Sequence, residues 1–158
     1  MMLLIKHHLQ LPQTQTETPL TKEKTMSKKQ DYLRANQEFL TQKAQEEGVN
    51  SLAKGILYKV ISEGTGTTCP TLRSIVCVHY RGTLINGREF DNSYQRGYPE
   101  AFRLNEVIEG WQIALSKMHA GDKWEIYIPA EMGYGKRSSG PIPGGSTLIF
   151  EVELLSIG

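Results

Sequence analysis

Asn86-Gly87 is the feature that most constrains this chain. Both residue types tolerate positive φ. The pair stands between an apolar-rich run at 73–83 and the short stretch Arg88-Glu89-Phe90-Asp91. Two strands joined this tightly run antiparallel. The chain around the hairpin repeats the theme. A run at 55–61 reads as a strand stopped by Glu63-Gly64-Thr65-Gly66. Trp124, Ile126 and Ile128 alternate with Lys123, Glu125 and Tyr127, which predicts a half-buried strand ended by Pro129. In the last strand Leu148, Phe150, Val152 and Leu154 point inward on the same period of two.

One segment departs from that period. Ile108, Trp111, Leu115 and Met118 share a helical face, with Asn105 as a candidate N-cap and Glu106 and Glu109 suited to the first turn. Phe102-Arg103-Leu104 reads as a short strand. The polar run 92–99 reads as irregular, and 133–146, rich in Gly, Ser and Pro, as a loop. The sum is an α+β arrangement, an antiparallel sheet with one short helix packed on a face.

The organisation ahead of residue 49 is different. Residues 1–26 are rich in Thr, Gln, Lys and Glu and are expected to be disordered. Residues 27–48 predict an amphipathic helix. Tyr32, Leu33, Ala35, Phe39, Leu40 and Ala44 share its apolar face, and Gly48 stops it. That face needs cover. The sequence leaves open whether the cover is the chain's own domain, a second copy (a homodimer through this helix) or a client chain. Met26 offers an alternative translation start. The apolar run at 1–5 is shorter than a secretory h-region and no small-residue cleavage site follows, so the expected location is cytoplasmic.

Composition narrows the function classes. The net charge is +1, with no basic stripe to track nucleic acid or an anionic membrane. No apolar run approaches the roughly 18 residues of a membrane-spanning helix. Cys69 and Cys77 form no disulfide framework and have no Cys or His partners at zinc spacing, so no metal or cofactor is expected. No G-x-S-x-G elbow and no phosphate-binding glycine loop is present.

Three stretches carry the chemistry. The first is Val78-His79-Tyr80-Arg81-Gly82 running on to Phe90-Asp91, and the second is Val107-Ile108-Glu109-Gly110-Trp111. The third is Gly133-Tyr134-Gly135 with the closing strand through Phe150. Aromatic side chains recur around a single acidic one, which is how small apolar sites with a few placed polar groups are built. Order and spacing resemble the FKBP family of macrolide-binding peptidyl-prolyl cis-trans isomerases over 57–155.

The resemblance implies a curved antiparallel sheet wrapped on a short helix. It implies a pocket with Trp111 as floor and Tyr80, Phe90, Val107, Ile108 and Phe150 as walls. Asp91, Tyr134 and the Ile108 N–H would be the catalytic groups, with Asp91 orienting the site through Tyr80. Ile142 and Pro143 would close over the substrate from a flap loop. Proline-containing polypeptides are the implied substrates, and macrolides such as tacrolimus or rapamycin the implied ligands. One departure is Glu100, where the family often has an aromatic; an acidic wall there would weaken macrolide binding or favour basic clients. Another is the basic flap Lys136-Arg137-Ser138-Ser139-Gly140-Pro141, shorter than in animal members. A binding module with little turnover and a folding chaperone using helix 27–48 remain as alternatives to the enzyme.

Overall fold

The computed structural model describes residues 19–158, with side chains from residue 28 onward. Most of the segment expected to be disordered, 1–18, lies outside the described residues. The first helix, α1, spans Pro19–Lys43 and so starts ahead of the expected boundary at 27. Residues 19–26 are helical, not disordered. Proline is well suited to a first helical turn, and the Leu, Lys, Glu and Met that follow it are good helix formers.

Seven strands follow. They are β1 (Val49–Ser51), β2 (Leu57–Ser62), β3 (Ile75–Thr83), β4 (Glu89–Asn92), β5 (Glu100–Arg103), β6 (Lys123–Ile128) and β7 (Leu148–Ile157). A one-turn helix, α2 (Ser93–Arg96), sits between β4 and β5, and α3 (Glu109–Leu115) sits between β5 and β6. The sheet order is β1-β2-β6-β7-β3-β4, with β5 also paired to β3, and every pairing is antiparallel. β3 is central. One edge pairs with β7 along most of its length, and the other is shared by β5 and β4. Register shifts at Val60/Ser62, Cys77/Val78 and Gly82/Thr83 add twist to three of the ladders.

The core lies between the sheet and α3. The alternating residues Leu148, Phe150, Val152 and Leu154 are fully buried, as are Trp111, Leu115 and Met118 of the helical face. The hairpin forms where expected, but only Gly87 takes positive φ, at 87°. The Gly87 N–H bonds Leu84 O and the Leu84 N–H bonds Arg88 O, so the loop carries its one left-handed residue after the turn. Asn86 contributes its side chain instead, accepting from the Arg88 N–H at 2.9 Å. Asn105 does not cap α3. It lies in a 3-10 turn, Leu104–Glu106, and the extended backbone at Val107 and Ile108 separates that turn from the helix.

The docking face of α1 differs from the expected one. Asn36 is 2% exposed and Tyr32, Phe39, Leu40 and Lys43 are half-buried, whereas Leu33, Ala35 and Ala44 are exposed. The helix therefore docks on a stripe with a polar residue at its centre. A buried polar group costs stability unless hydrogen-bonded, and Asn36 is: its amide donates to Tyr32 O at 2.8 Å and its carbonyl accepts the Thr147 N–H at 2.7 Å. Tyr127, expected on the solvent side of its strand, is 1% exposed because α1 covers it. Phe39 lies 6.3 Å from the Tyr127 ring, and Lys43 Nζ stands 5.3 and 5.1 Å from those two rings. The chain's own domain covers the helix. Phe39→Ala removes the apolar centre of this contact and is expected to lower unfolding free energy by about 1–2 kcal/mol, read from urea denaturation.

Candidate active site

Four rings meet around α3. Trp111 makes edge-to-face contacts with Tyr80 at 5.2 Å, Phe150 at 5.3 Å and Phe102 at 5.9 Å. Phe90 adds a further edge contact to Phe150 at 5.5 Å. Gly82 makes this packing reachable. A Cβ there would stand 2.7 Å from the Phe90 ring and 2.8 Å from the Phe150 ring, so any larger residue in β3 would drive the two apart. Val107, Ile108 and Ile142 are buried in the same cluster, and Phe90 and Tyr134 pack against it with part of their surface exposed. The structure thus brings together Tyr80, Phe90, Val107, Ile108, Trp111, Ile142 and Phe150, all expected to line one pocket.

A polar network sits at one side of the rings. Asp91, 6% exposed, accepts the Tyr80 hydroxyl at 2.6 Å on one oxygen and Arg96 Nη1 at 2.6 Å on the other. Arg96 Nη2 also donates to the Tyr80 hydroxyl at 3.1 Å, and Arg96 Nε donates to Glu100 at 3.0 Å. The guanidinium stands 5.7 Å from the Tyr80 ring. Arg96 was not anticipated among the site residues. Glu100 is correspondingly not an open acidic wall, because its carboxylate is spent on Arg96. Burial works against the Arg96 cation, but its bonds to Asp91 and Tyr80 outweigh burial and hold the proton more firmly than usual.

Local sequence explains how Arg96 gets there. Asn92 caps α2 by accepting the Gln95 N–H, and Gly97 closes it in the left-handed conformation at φ 86°. Ser93, fully buried, pins the start of α2 to β3. Its hydroxyl accepts the Tyr80 N–H at 2.7 Å and donates to Tyr80 O at 3.2 Å. The single Ser93 proton is then committed, so His79 Nδ1, 2.7 Å away, must be the donor to that oxygen. The signal was present in the sequence: an N-cap residue, four residues and a glycine, with acids flanking Arg96 at 91 and 100.

Three donors remain unmatched around the rings. The Tyr134 hydroxyl and Trp111 Nε1 are buried and have no hydrogen-bond partner among the described residues. The Ile108 N–H, at the start of α3, likewise has no acceptor among them. Burial, then the negative charge of Asp91 and the proximity of Tyr80, push the Tyr134 phenol well above its ordinary value. Burial and the hydrogen bond to Asp91 do the same to Tyr80. Both hydroxyls are therefore neutral donors at any physiological pH. Buried polar groups are nearly always satisfied, so unmatched donors lining a cluster of rings mark a place built for an acceptor.

The family model described as FKBP-type peptidyl-prolyl cis-trans isomerase matches residues 66–155. The chain belongs to that family. A second model, the domain amino-terminal to FKBP-type peptidyl-prolyl isomerases, matches residues 5–60. Over 120 residues the chain is 48% identical to the peptidyl-prolyl cis-trans isomerase Mip of Coxiella burnetii, covering 75% of this chain and 52% of the relative. It is 49% identical, over 75% of this chain and 58% of the relative, to the FKBP-type 22 kDa isomerase of Escherichia coli. The chain spans about half the length of the curated relatives it matches. The crystal structure of FkpA from E. coli superposes with a TM-score of 0.80 at 41% identity, covering 86% of this chain and 63% of that one. An isomerase from Pseudomonas syringae pv. tomato superposes with a TM-score of 0.76 at 34% identity, covering 91% and 99%. The FKBP fold expected from the sequence is the fold observed.

Two outcomes follow from the buried ionisable groups. Arg96→Met leaves two carboxylates without their shared cation. Arg96 keeps 23% of its side-chain surface in solvent, so the expected loss is about 2–3 kcal/mol at neutral pH, at or below the low end for a broken buried pair. Urea unfolding of the variant reads it. The second outcome is alkaline. Tyr80, Tyr127 and Tyr134 all hold their protons above the phenol value of 10.0 that the unfolded chain returns to. Their contribution to stability is complete below that value and is lost as pH rises above it. The folded FKBP domain should develop tyrosinate absorbance late, together with unfolding, while the urea midpoint falls from about pH 10 upward.

Proposed function

We propose that the chain catalyses rotation about peptide bonds preceding proline, without a covalent intermediate. The observation that carries this is the unpartnered Tyr134 hydroxyl, buried beside Asp91 and Tyr80 at the edge of an aromatic cluster. Leaving such a donor unmatched costs about 1–3 kcal/mol, a cost a bound carbonyl relieves.

An X–Pro bond resists rotation by about 18–20 kcal/mol because rotation breaks amide resonance. No bond need be made, so no nucleophile is required. The site must hold the twisted amide better than either planar form. Twisting removes charge separation between carbonyl and nitrogen, so an apolar surround disfavours the planar amide more than the twisted one. The rings of Trp111, Tyr80, Phe90 and Phe150, with Val107 and Ile142, suit a prolyl ring. The Ile108 N–H and the Tyr134 hydroxyl are two fixed donors for the flanking carbonyls. Asp91, with one oxygen on Tyr80 and the other on Arg96, holds the polar wall rigid beside the reacting amide. Each 1.36 kcal/mol of preference for the twisted form is tenfold in rate.

Proline-containing polypeptides are the substrates of this reading, and tacrolimus or rapamycin would compete for the same rings. Because the Glu100 carboxylate is held by Arg96 at 3.0 Å, Lys or Arg before proline should bring little advantage. The test is cis–trans exchange of X–Pro peptides measured by NMR, with wild type and Tyr134→Phe in parallel. The expected result is fast catalysis that falls about tenfold in kcat/KM on losing one hydrogen bond. A folded wild type that binds a proline peptide or tacrolimus without accelerating exchange would overturn the enzyme reading and leave a proline-binding module.

A further inference from the structure

The loop 133–147 carries two groups of the prolyl site on its two limbs, Tyr134 on the first and Ile142 on the second. Its limbs are tied to each other, since Ser139 and Ile142 bond reciprocally and the Gly145 N–H donates to Gly135 O at 2.8 Å. The second limb is also tied to α1, more than a hundred residues earlier in the chain. The Thr147 N–H donates to Asn36 Oδ1 at 2.7 Å and the Thr147 hydroxyl to Asn36 O at 3.3 Å. Ser146 donates its proton to Pro143 O at 2.6 Å, so the Tyr32 hydroxyl, 2.6 Å away, is the donor to Ser146. Leu33 closes over Gly145, where an added Cβ would stand 2.2 Å from its methyl. Asn36, Ser146 and Thr147 are all nearly fully buried.

These contacts are more than a helix resting on a domain. They tie the site's own loop to α1 through the Thr147 backbone and the Ser146 side chain, which also holds Pro143 O, and the Gly145–Gly135 bond passes the constraint to the residue after Tyr134. A loop rich in Gly, Ser and Pro has little structure of its own to hold Tyr134 and Ile142 in place. We propose that Tyr32 and Asn36 are positioning residues of the prolyl site, acting through Ser146, Thr147 and Gly145 on the loop that bears Tyr134 and Ile142. The proposal rests on the isomerase reading for its kinetic consequence and on the hydrogen bonds for its structural one. A loosened loop closes on substrate less often, so the loss falls on KM while the chemistry at Asp91 and the rings is kept.

The experiment uses the full chain with Asn36→Leu, which removes both side-chain bonds at similar size, and Tyr32→Phe, which removes one hydroxyl and keeps the ring. Peptide exchange by NMR gives kcat and KM separately, and amide hydrogen exchange reads residues 133–147 directly. Expected are about tenfold faster amide exchange in that loop and a KM raised about fivefold in Asn36→Leu, with kcat within about twofold. Tyr32→Phe should show the same pattern more weakly and keeps the test alive should Asn36→Leu fail to fold. Unchanged loop exchange overturns the proposal, as does faster loop exchange with unchanged KM. An inactive wild type that binds a proline peptide overturns only the isomerase reading; the clamp is then read as a weaker Kd for that peptide in the variants, and an unchanged Kd overturns it. A wild type that neither turns over nor binds the peptide overturns both.

Discussion

The edge contacts of Trp111 set the geometry on which everything else rests. One indole on α3 meets rings from β3, β5 and β7 at near right angles. Each such pair adds about 0.5–1.5 kcal/mol beyond the area it buries. More important is what the three contacts fix together. β5 and β7 pair with opposite edges of β3, so a single side chain gauges the sheet across three neighbouring strands. The helix is only seven residues long, well short of what is stable alone, and depends on this packing. The floor of the site and the centre of the core are therefore one residue, and the site inherits the rigidity of the core.

The polar side of the site solves a different problem. A carboxylate at the edge of an aromatic cluster loses its water, and charge is costly there unless paired and hydrogen-bonded. Asp91 meets both conditions through a phenol from β3 and a guanidinium from α2. The pairing sequence is economical in chain length, because the hairpin delivers Asp91 opposite Gly82 and the next turn of chain delivers Arg96. Arg96 in turn holds Glu100 at the start of β5, so one cation joins the end of one edge strand to the beginning of the next. With the Tyr80 and Arg96 donors committed to Asp91 and Glu100, the Tyr134 hydroxyl beside them keeps an unused proton.

Periodicity made most of this legible in the sequence. The inward positions of β6 and β7, the Trp111–Leu115 face of α3 and the turn at Asn86-Gly87 are local patterns, and each stands where it was read. The aromatic set was legible for the same reason, with the family resemblance supplying the grouping. What escaped was set by contacts that no local pattern encodes. Arg96 lay in a polar run read as irregular, because a four-residue helix offers no period to detect. Asn105 had the chemistry of a cap but not the backbone, since two extended residues follow it. Tyr127 looked exposed because its cover comes from a helix more than eighty residues away in the chain. Ala35 and Ala44 looked like docking residues, yet Asn36 docks, because the surface that receives α1 offers backbone hydrogen bonds and not only apolar area.

That last point bears on how order is distributed in the molecule. The described part of α1 is largely polar outside its docking stripe, and helices of this kind draw most of their stability from tertiary packing. The loop 133–147 has no strand or helix of its own, only turns and the isolated Ser139–Ile142 bridge. Neither segment has sufficient local reason to be ordered, and each supplies the other's missing partners: Asn36 is satisfied by Thr147, and the Ser146 hydroxyl is shared by Tyr32 and Pro143. Their order is thus a joint property, and coupling of this kind is reciprocal. Whatever stiffens the loop must also favour the docked helix. Whatever draws α1 away must loosen the loop beside Tyr134. The amino-terminal extension is in this sense part of the site's framework, even though none of its described residues joins the cluster around Trp111.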